Sequence, residues 1–95
     1  MAVNLDSIVA RSGDAVATEL HGETVLMTIQ AQSYFGLTLT SQDIWQRIEQ
    51  PTRVRSICET LAREYNAPLP TIESDTLAFF DRLEACGLIK LVEAG

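Results

Sequence analysis

Between Glu23 and Asp43 the chain has no Asp, Glu, Lys or Arg: nineteen consecutive residues, Thr24 to Gln42, are uncharged. Charged residues make up 21% of the sequence, so a gap of this length is a local exception. Its apolar residues alternate. Residues 24–30 (TVLMTIQ) put Val25, Met27 and Ile29 on one face of an extended chain. Residues 33–39 (SYFGLTL) put Phe35, Leu37 and Leu39 on one face and Tyr34, Gly36 and Thr38 on the other. The preceding segment 15–20 (AVATEL) alternates around Val16, Thr18 and Leu20. His21-Gly22 joins it to the next strand, and glycine there permits the positive φ of a tight hairpin. The pattern predicts a three-stranded antiparallel meander whose third strand lies at the edge.

An open sheet edge recruits other chains, and proteins usually guard it with Lys, Pro or an inward charge. Residues 33–39 contain none of these. A loop, the terminal segment 89–92 (IKLV) or a second copy of the chain can cover such an edge. The edge can also receive an extended peptide by strand addition, in which the backbone ladder supplies affinity and alternate side-chain pockets supply selectivity. Gly36 suits this last use, because a residue without Cβ lets another backbone come close.

The remaining two thirds read as helices. Thr40 is the expected N-cap of a first helix, with Asp43 in its first turn and Ile44, Trp45 and Ile48 as its apolar positions before Pro51. Thr52 is the expected cap of a second helix over 53–65, carrying Val54, Ile57, Cys58, Leu61 and Tyr65 at helical spacing. Asn66 and the Pro68–Pro70 pair end it. Thr71 to Ser74 offer caps for a third helix over 73–86, whose apolar stripe is Thr76, Phe79, Phe80 and Leu83. Gly87 is its expected stop, followed by Leu88-Ile89 packing back on the last turn. The expected architecture is α+β and winged helix-turn-helix-like: a three-stranded antiparallel sheet followed by three helices. A chain of 95 residues makes one domain, 1–95, with 1–14 expected to be flexible or loosely packed.

Charge excludes several functions. Thirteen acids against seven bases give a net charge of −6, which opposes binding to nucleic acid or to an anionic membrane. A small DNA-binding regulator, the main alternative for a winged helix, would place its last helix in the major groove. Residues 73–86 carry Glu73, Asp75, Asp81 and Glu84 against Arg82 alone, and phosphates would repel a helix of that sign. The chain has no run of about 18 apolar residues and no secretory signal pattern. Cys58 and Cys86 lack CxxC spacing and read as reduced thiols of a cytoplasmic protein. With the lone His21 they supply too few ligands for zinc. No nucleophile–base pair, P-loop or metalloprotease motif occurs, so neither catalysis nor a cofactor is expected.

The stretch from Ser33 to Ile89 resembles the PqqD-like family, the recognition elements for precursors of ribosomally made peptides. The resemblance rests on YFGLT at 34–38, the Ile44-Trp45 pair, TRVRSICETLAREY at 52–65 and SDTLAFFDRLEACGLI at 74–89. Thr76 stands where the family often has Val. Within the family, the aromatic-Gly-Leu strand followed by Ile-Trp is most similar to the stand-alone leader-binding proteins of lasso peptide biosynthesis. The resemblance implies that a precursor leader docks beside the third strand and against the third helix. It also implies partners: a cysteine-protease-like leader peptidase and a macrolactam cyclase. On this reading Tyr34, Phe35, Gly36 and Leu37 form the peptide ladder. Thr76, Leu77 and Phe80 form the pocket wall, with Asp81 and Glu84 on its rim. Leu77 is the expected discriminator between binding and core, because it lies off the Phe79/Leu83 stripe.

Overall fold

The hairpin appears where the turn residues demand it. In the computed structural model, which describes residues 3–28 and 34–92, strands β2 (Ala15–Leu20) and β3 (Glu23–Thr28) pair antiparallel from Ala15↔Thr28 to Leu20↔Glu23. His21 and Gly22 both have positive φ, 54° and 83°, as a two-residue turn matched to the strand twist requires. Strand β4 (Tyr34–Gly36) pairs with β3 through Val25↔Gly36, Leu26↔Phe35 and Met27↔Tyr34, giving the order β2-β3-β4. The predicted meander is therefore present. The parts of the predicted strands at residues 29, 30 and 33 lie outside the described residues.

The inward face of this sheet is the Leu26 face. Leu26 is fully buried in the main core cluster, and Phe35 packs against that cluster. Val25 is buried on the other face and is not part of the cluster.

A second sheet goes beyond the predicted meander. Strand β1 (Ile8–Arg11) lies between β5 (Thr52–Arg53) and β6 (Ile89–Val92), antiparallel to both. The expectation of a loosely packed 1–14 is thus corrected: Val9 is fully buried, and Val3 and Val9 join the core. Burial of so short an apolar run outweighs the polar residues around it. The terminal segment 89–92 is a strand, but it pairs with β1 and not with β4.

Three helices complete the α+β fold: α1 (Leu39–Arg47), α2 (Val54–Glu64) and α3 (Leu69–Ala85). Their starts differ from the expected ones. Thr38, not Thr40, caps α1, its hydroxyl accepting from the Ser41 amide at 3.1 Å. Thr52 does not cap α2: the N-cap position is Arg53, with no side-chain cap bond, and the Thr52 hydroxyl donates backward to the Gln50 carbonyl at 2.8 Å. The N-terminal segment caps α2 in its place, with the carbonyls of Ser7 and Leu5 accepting from the Val54 and Arg55 amides, both at 2.9 Å. These bonds satisfy donors that a helix start otherwise leaves open. Helix α3 begins at Leu69, four residues before Glu73, with Pro70 in its first turn. Proline lacks an amide hydrogen that this turn would not use, so it opens the helix there instead of blocking it.

The stops agree with the sequence. Asn66 (φ 51°) and Gly87 (φ 76°) take the left-handed conformation after α2 and α3. After α3 the Gly87 amide donates to Glu84 and the Leu88 amide to Leu83, and Leu83 and Leu88 are both buried. Side chains then join the layers. The Arg11 guanidinium carbon lies 4.5 Å from the centroid of the Trp45 ring, and its Nη2 donates to the Trp45 carbonyl at 2.7 Å. Tyr65 Oη donates to Asp43 at 2.6 Å, tying the end of α2 to α1.

Candidate functional site: an open strand beside helix α3

Backbone direction along β4 follows from one hydrogen bond. The Leu37 amide donates to the Thr24 carbonyl at 2.9 Å. Because an antiparallel ladder alternates, Phe35 and Leu37 turn their amides and carbonyls toward β3, while Tyr34 and Gly36 turn theirs outward. Among the described residues no strand pairs with that outer side. Of the four expected ladder residues, Tyr34 and Gly36 can therefore offer backbone groups to a guest. Phe35 and Leu37 support the site from within. Tyr34 is 63% exposed and Leu37 is 8% exposed.

Gly36 has no internal reason to be glycine. Its φ is not positive, and a Cβ built on it meets no atom within 4 Å. On the sheet face where that Cβ would stand, no described atom is in its way.

Helix α3 closes one side of this border. The Phe35 ring lies 6.0 Å from the Phe79 ring at an angle of 59°, a tilted aromatic pair. The Arg82 guanidinium carbon sits 5.5 Å from the Phe35 ring centroid, within cation–π range. From there a cleft of about 370 Å³ runs between α3 and the start of α1. Ile72, Asp75, Thr76, Ala78, Phe79 and Arg82 form its α3 wall, and Thr38, Thr40, Ser41 and Ile44 face them.

This geometry redistributes the expected pocket residues. Thr76 lines the cleft but is itself 2% exposed. Phe80 is fully buried in the core, so a guest cannot reach it. Leu77 is half-buried against the core cluster and, like Asp81 and Glu84, does not line the cleft. At 100° per residue, 77, 81 and 84 fall on the side of the helix away from 75, 78 and 82. The residues that sequence reasoning missed, Asp75, Ala78, Phe79 and Arg82, form their own stripe at i, i+3, i+4 and i+7. That stripe was legible, but its charged members masked it as a solvated face.

Other groups offer little chemistry. Cys58 is fully buried, and burial pushes its thiol above the ordinary range, so it is neither exposed nor ionised enough to act as a nucleophile. Among the described residues no three His, Cys, Asp or Glu side chains are placed to hold a metal. No described helix is long and apolar enough to cross a membrane.

The sheet has a second open edge, β2, whose residues 16–20 are all exposed. Ala17 of β2 lines a smaller cleft of about 210 Å³, closed by Gln42, Trp45 and Gln46 of α1.

Comparison with known proteins agrees with the fold. The family model described as Coenzyme PQQ synthesis protein D (PqqD) matches residues 23–89. Among solved structures the chain is similar to one described as TbiB1 in complex with the TbiA(beta) leader peptide. The two are 28% identical, with a TM-score of 0.76, over 90% of this chain and 99% of that one. No curated protein matches the sequence.

Proposed function

The chain belongs to the PqqD family, and we propose that it is a non-catalytic cytoplasmic module that captures the leader of a ribosomally made precursor peptide as an added strand on β4. The observation that carries this reading is the outward-turned backbone of Tyr34 and Gly36 beside the α3 cleft. The similar structure described with a leader peptide supports it. The finer assignment, presentation to a cysteine-protease-like peptidase and a macrolactam cyclase in lasso peptide maturation, rests on the aromatic-Gly-Leu and Ile-Trp resemblance.

The two open edges differ in what they can hold. A strand on either gains backbone hydrogen bonds of about 0.5–1.5 kcal/mol each. Ordering a disordered peptide costs roughly 2–5 kcal/mol, so four such bonds come close to break-even. On β4, two apolar guest side chains entering the cleft add about 1.5–3 kcal/mol apiece. Together they bring the affinity to roughly the millimolar to tens-of-micromolar range. Ala17 of β2 reaches only the smaller cleft of about 210 Å³, against about 370 Å³ beside α3, so the leader favours β4.

The test is selection of a displayed library of random 15-residue peptides on the immobilised protein, followed by amide NMR with an enriched peptide. We expect the largest shifts at Tyr34, Gly36 and the α3 wall. If saturating peptide leaves those amides in place, or moves β2 instead, strand addition at β4 is wrong.

A further inference from the structure

We propose that Arg82 reads a carboxylate on the docked peptide and thereby fixes its register; this rests on the strand-addition reading above. A backbone ladder is blind to sequence. A guest displaced by two residues makes the same hydrogen bonds and presents side chains to the same faces. Something beside the ladder has to set the position, and the nineteen residues from Thr24 to Gln42 supply no charge to do so.

Arg82 is well placed to set it. It is the only base among residues 73–86, which carry four acids. Arg47 and Arg55 both hold carboxylates at 2.6–2.9 Å, yet no ion pair among the described residues engages Arg82. Its guanidinium instead lies over the ring of Phe35, an edge-strand residue, and lines the cleft. An arginine stacked on a ring keeps the donors around its rim available to a carboxylate. Stacking also restricts the side chain before a ligand arrives, which lowers the ordering cost of the contact.

The same wall carries the opposite sign at Asp75, two turns earlier and about 10 Å along the helix. A guest carboxylate is attracted at the Arg82 end and repelled at the Asp75 end. A slipped or reversed peptide therefore loses the attraction and meets the repulsion. The ligand class is an extended peptide carrying one Asp or Glu at a fixed distance from its apolar anchors.

The library selection above is run in parallel on the wild-type protein and on Arg82→Gln, Arg82→Glu and Gly36→Pro, each checked for folding by thermal melting. Wild-type selections should enrich Asp or Glu at one position. Arg82→Gln should erase that preference, and Arg82→Glu should replace it with Lys or Arg. Changing the acid of an enriched peptide to its amide should weaken binding to the wild type roughly three- to tenfold, with less effect as salt rises. If peptides are enriched and lost with Gly36→Pro but their charge preference ignores residue 82, the role of Arg82 is overturned while strand addition stands. If none depends on Gly36, strand addition falls and the role of Arg82 falls with it.

Discussion

The Leu37 amide donates to the Thr24 carbonyl at 2.9 Å, which leaves the amide of Gly36, one residue earlier, directed away from the sheet. Proline at 36 therefore removes a donor that β3 does not use, and edge strands tolerate proline on their outer side. Gly36→Pro should shift the melting temperature by only a few degrees, less than about 1 kcal/mol for a domain of this size. It should abolish binding of selected peptides in calorimetry. Leu37→Pro is the contrast: it breaks the bond to Thr24 and removes a buried side chain, and should cost roughly 3 kcal/mol or more.

Ala78 is exposed and lines the cleft, whereas Leu77 beside it packs against the core. Ala78→Trp should fill the cleft and weaken peptide binding more than tenfold while the melting temperature holds. Leu77→Asp should do the reverse, lowering stability by about 1–3 kcal/mol through a carboxylate placed on apolar surface. Equal loss of binding in two folded proteins would move the pocket to the other side of α3.

Arg11 contacts Trp45 twice, through the ring at 4.5 Å and through the carbonyl at 2.7 Å. Arg11→Ala removes both and should cost about 2 kcal/mol in urea unfolding. Trp45 is the sole tryptophan, so its fluorescence reports the change directly. An unchanged midpoint would mean that the Arg11–Trp45 contacts contribute little to the fold.

The Tyr65 hydroxyl, and after it the Arg47 guanidinium, hold the Asp43 carboxyl below its ordinary range against the opposing pull of desolvation. A carboxyl whose folded pKa is depressed stabilises the fold above its unfolded pKa, about 4, and loses that contribution as pH falls through the folded value. Wild-type stability should therefore drop on acidification below about pH 4 more steeply than that of Asp43→Asn. Tyr65→Phe should bring the Asp43 titration back toward the ordinary range, read by carboxyl NMR. Parallel acid limbs for wild type and Asp43→Asn would rule out the network as a contributor.

Much of this architecture was legible because it follows from local rules. The alternation of 15–20 and 24–30, the His21-Gly22 turn and the stops at Asn66 and Gly87 all rest on neighbouring residues. Strand β1 was not legible. IVAR is too short to show a period, and its place depends on β5 and β6, forty residues and more away. The helix starts failed for a related reason. Thr52 looks like a cap, but carbonyls from Leu5 and Ser7 arrive from the other end of the chain to satisfy α2. At the site, strand β4 and its glycine were visible as an uncharged run, while the side of α3 that meets it was not. Phe80 and Leu77 read as well as Phe79 does by hydrophobicity alone, and only the contact with Phe35 separates them.

The parity of β4 has a consequence for how this protein can vary. A visitor held by peptide groups does not sense which residue types carry them, so replacements at position 34 leave the docking groups where they were. Gain or loss of a single residue between 34 and 37 would exchange inward and outward groups at one stroke. Along this margin, chain length is held more tightly than residue identity, and homologues should differ there by replacement far more often than by insertion or deletion.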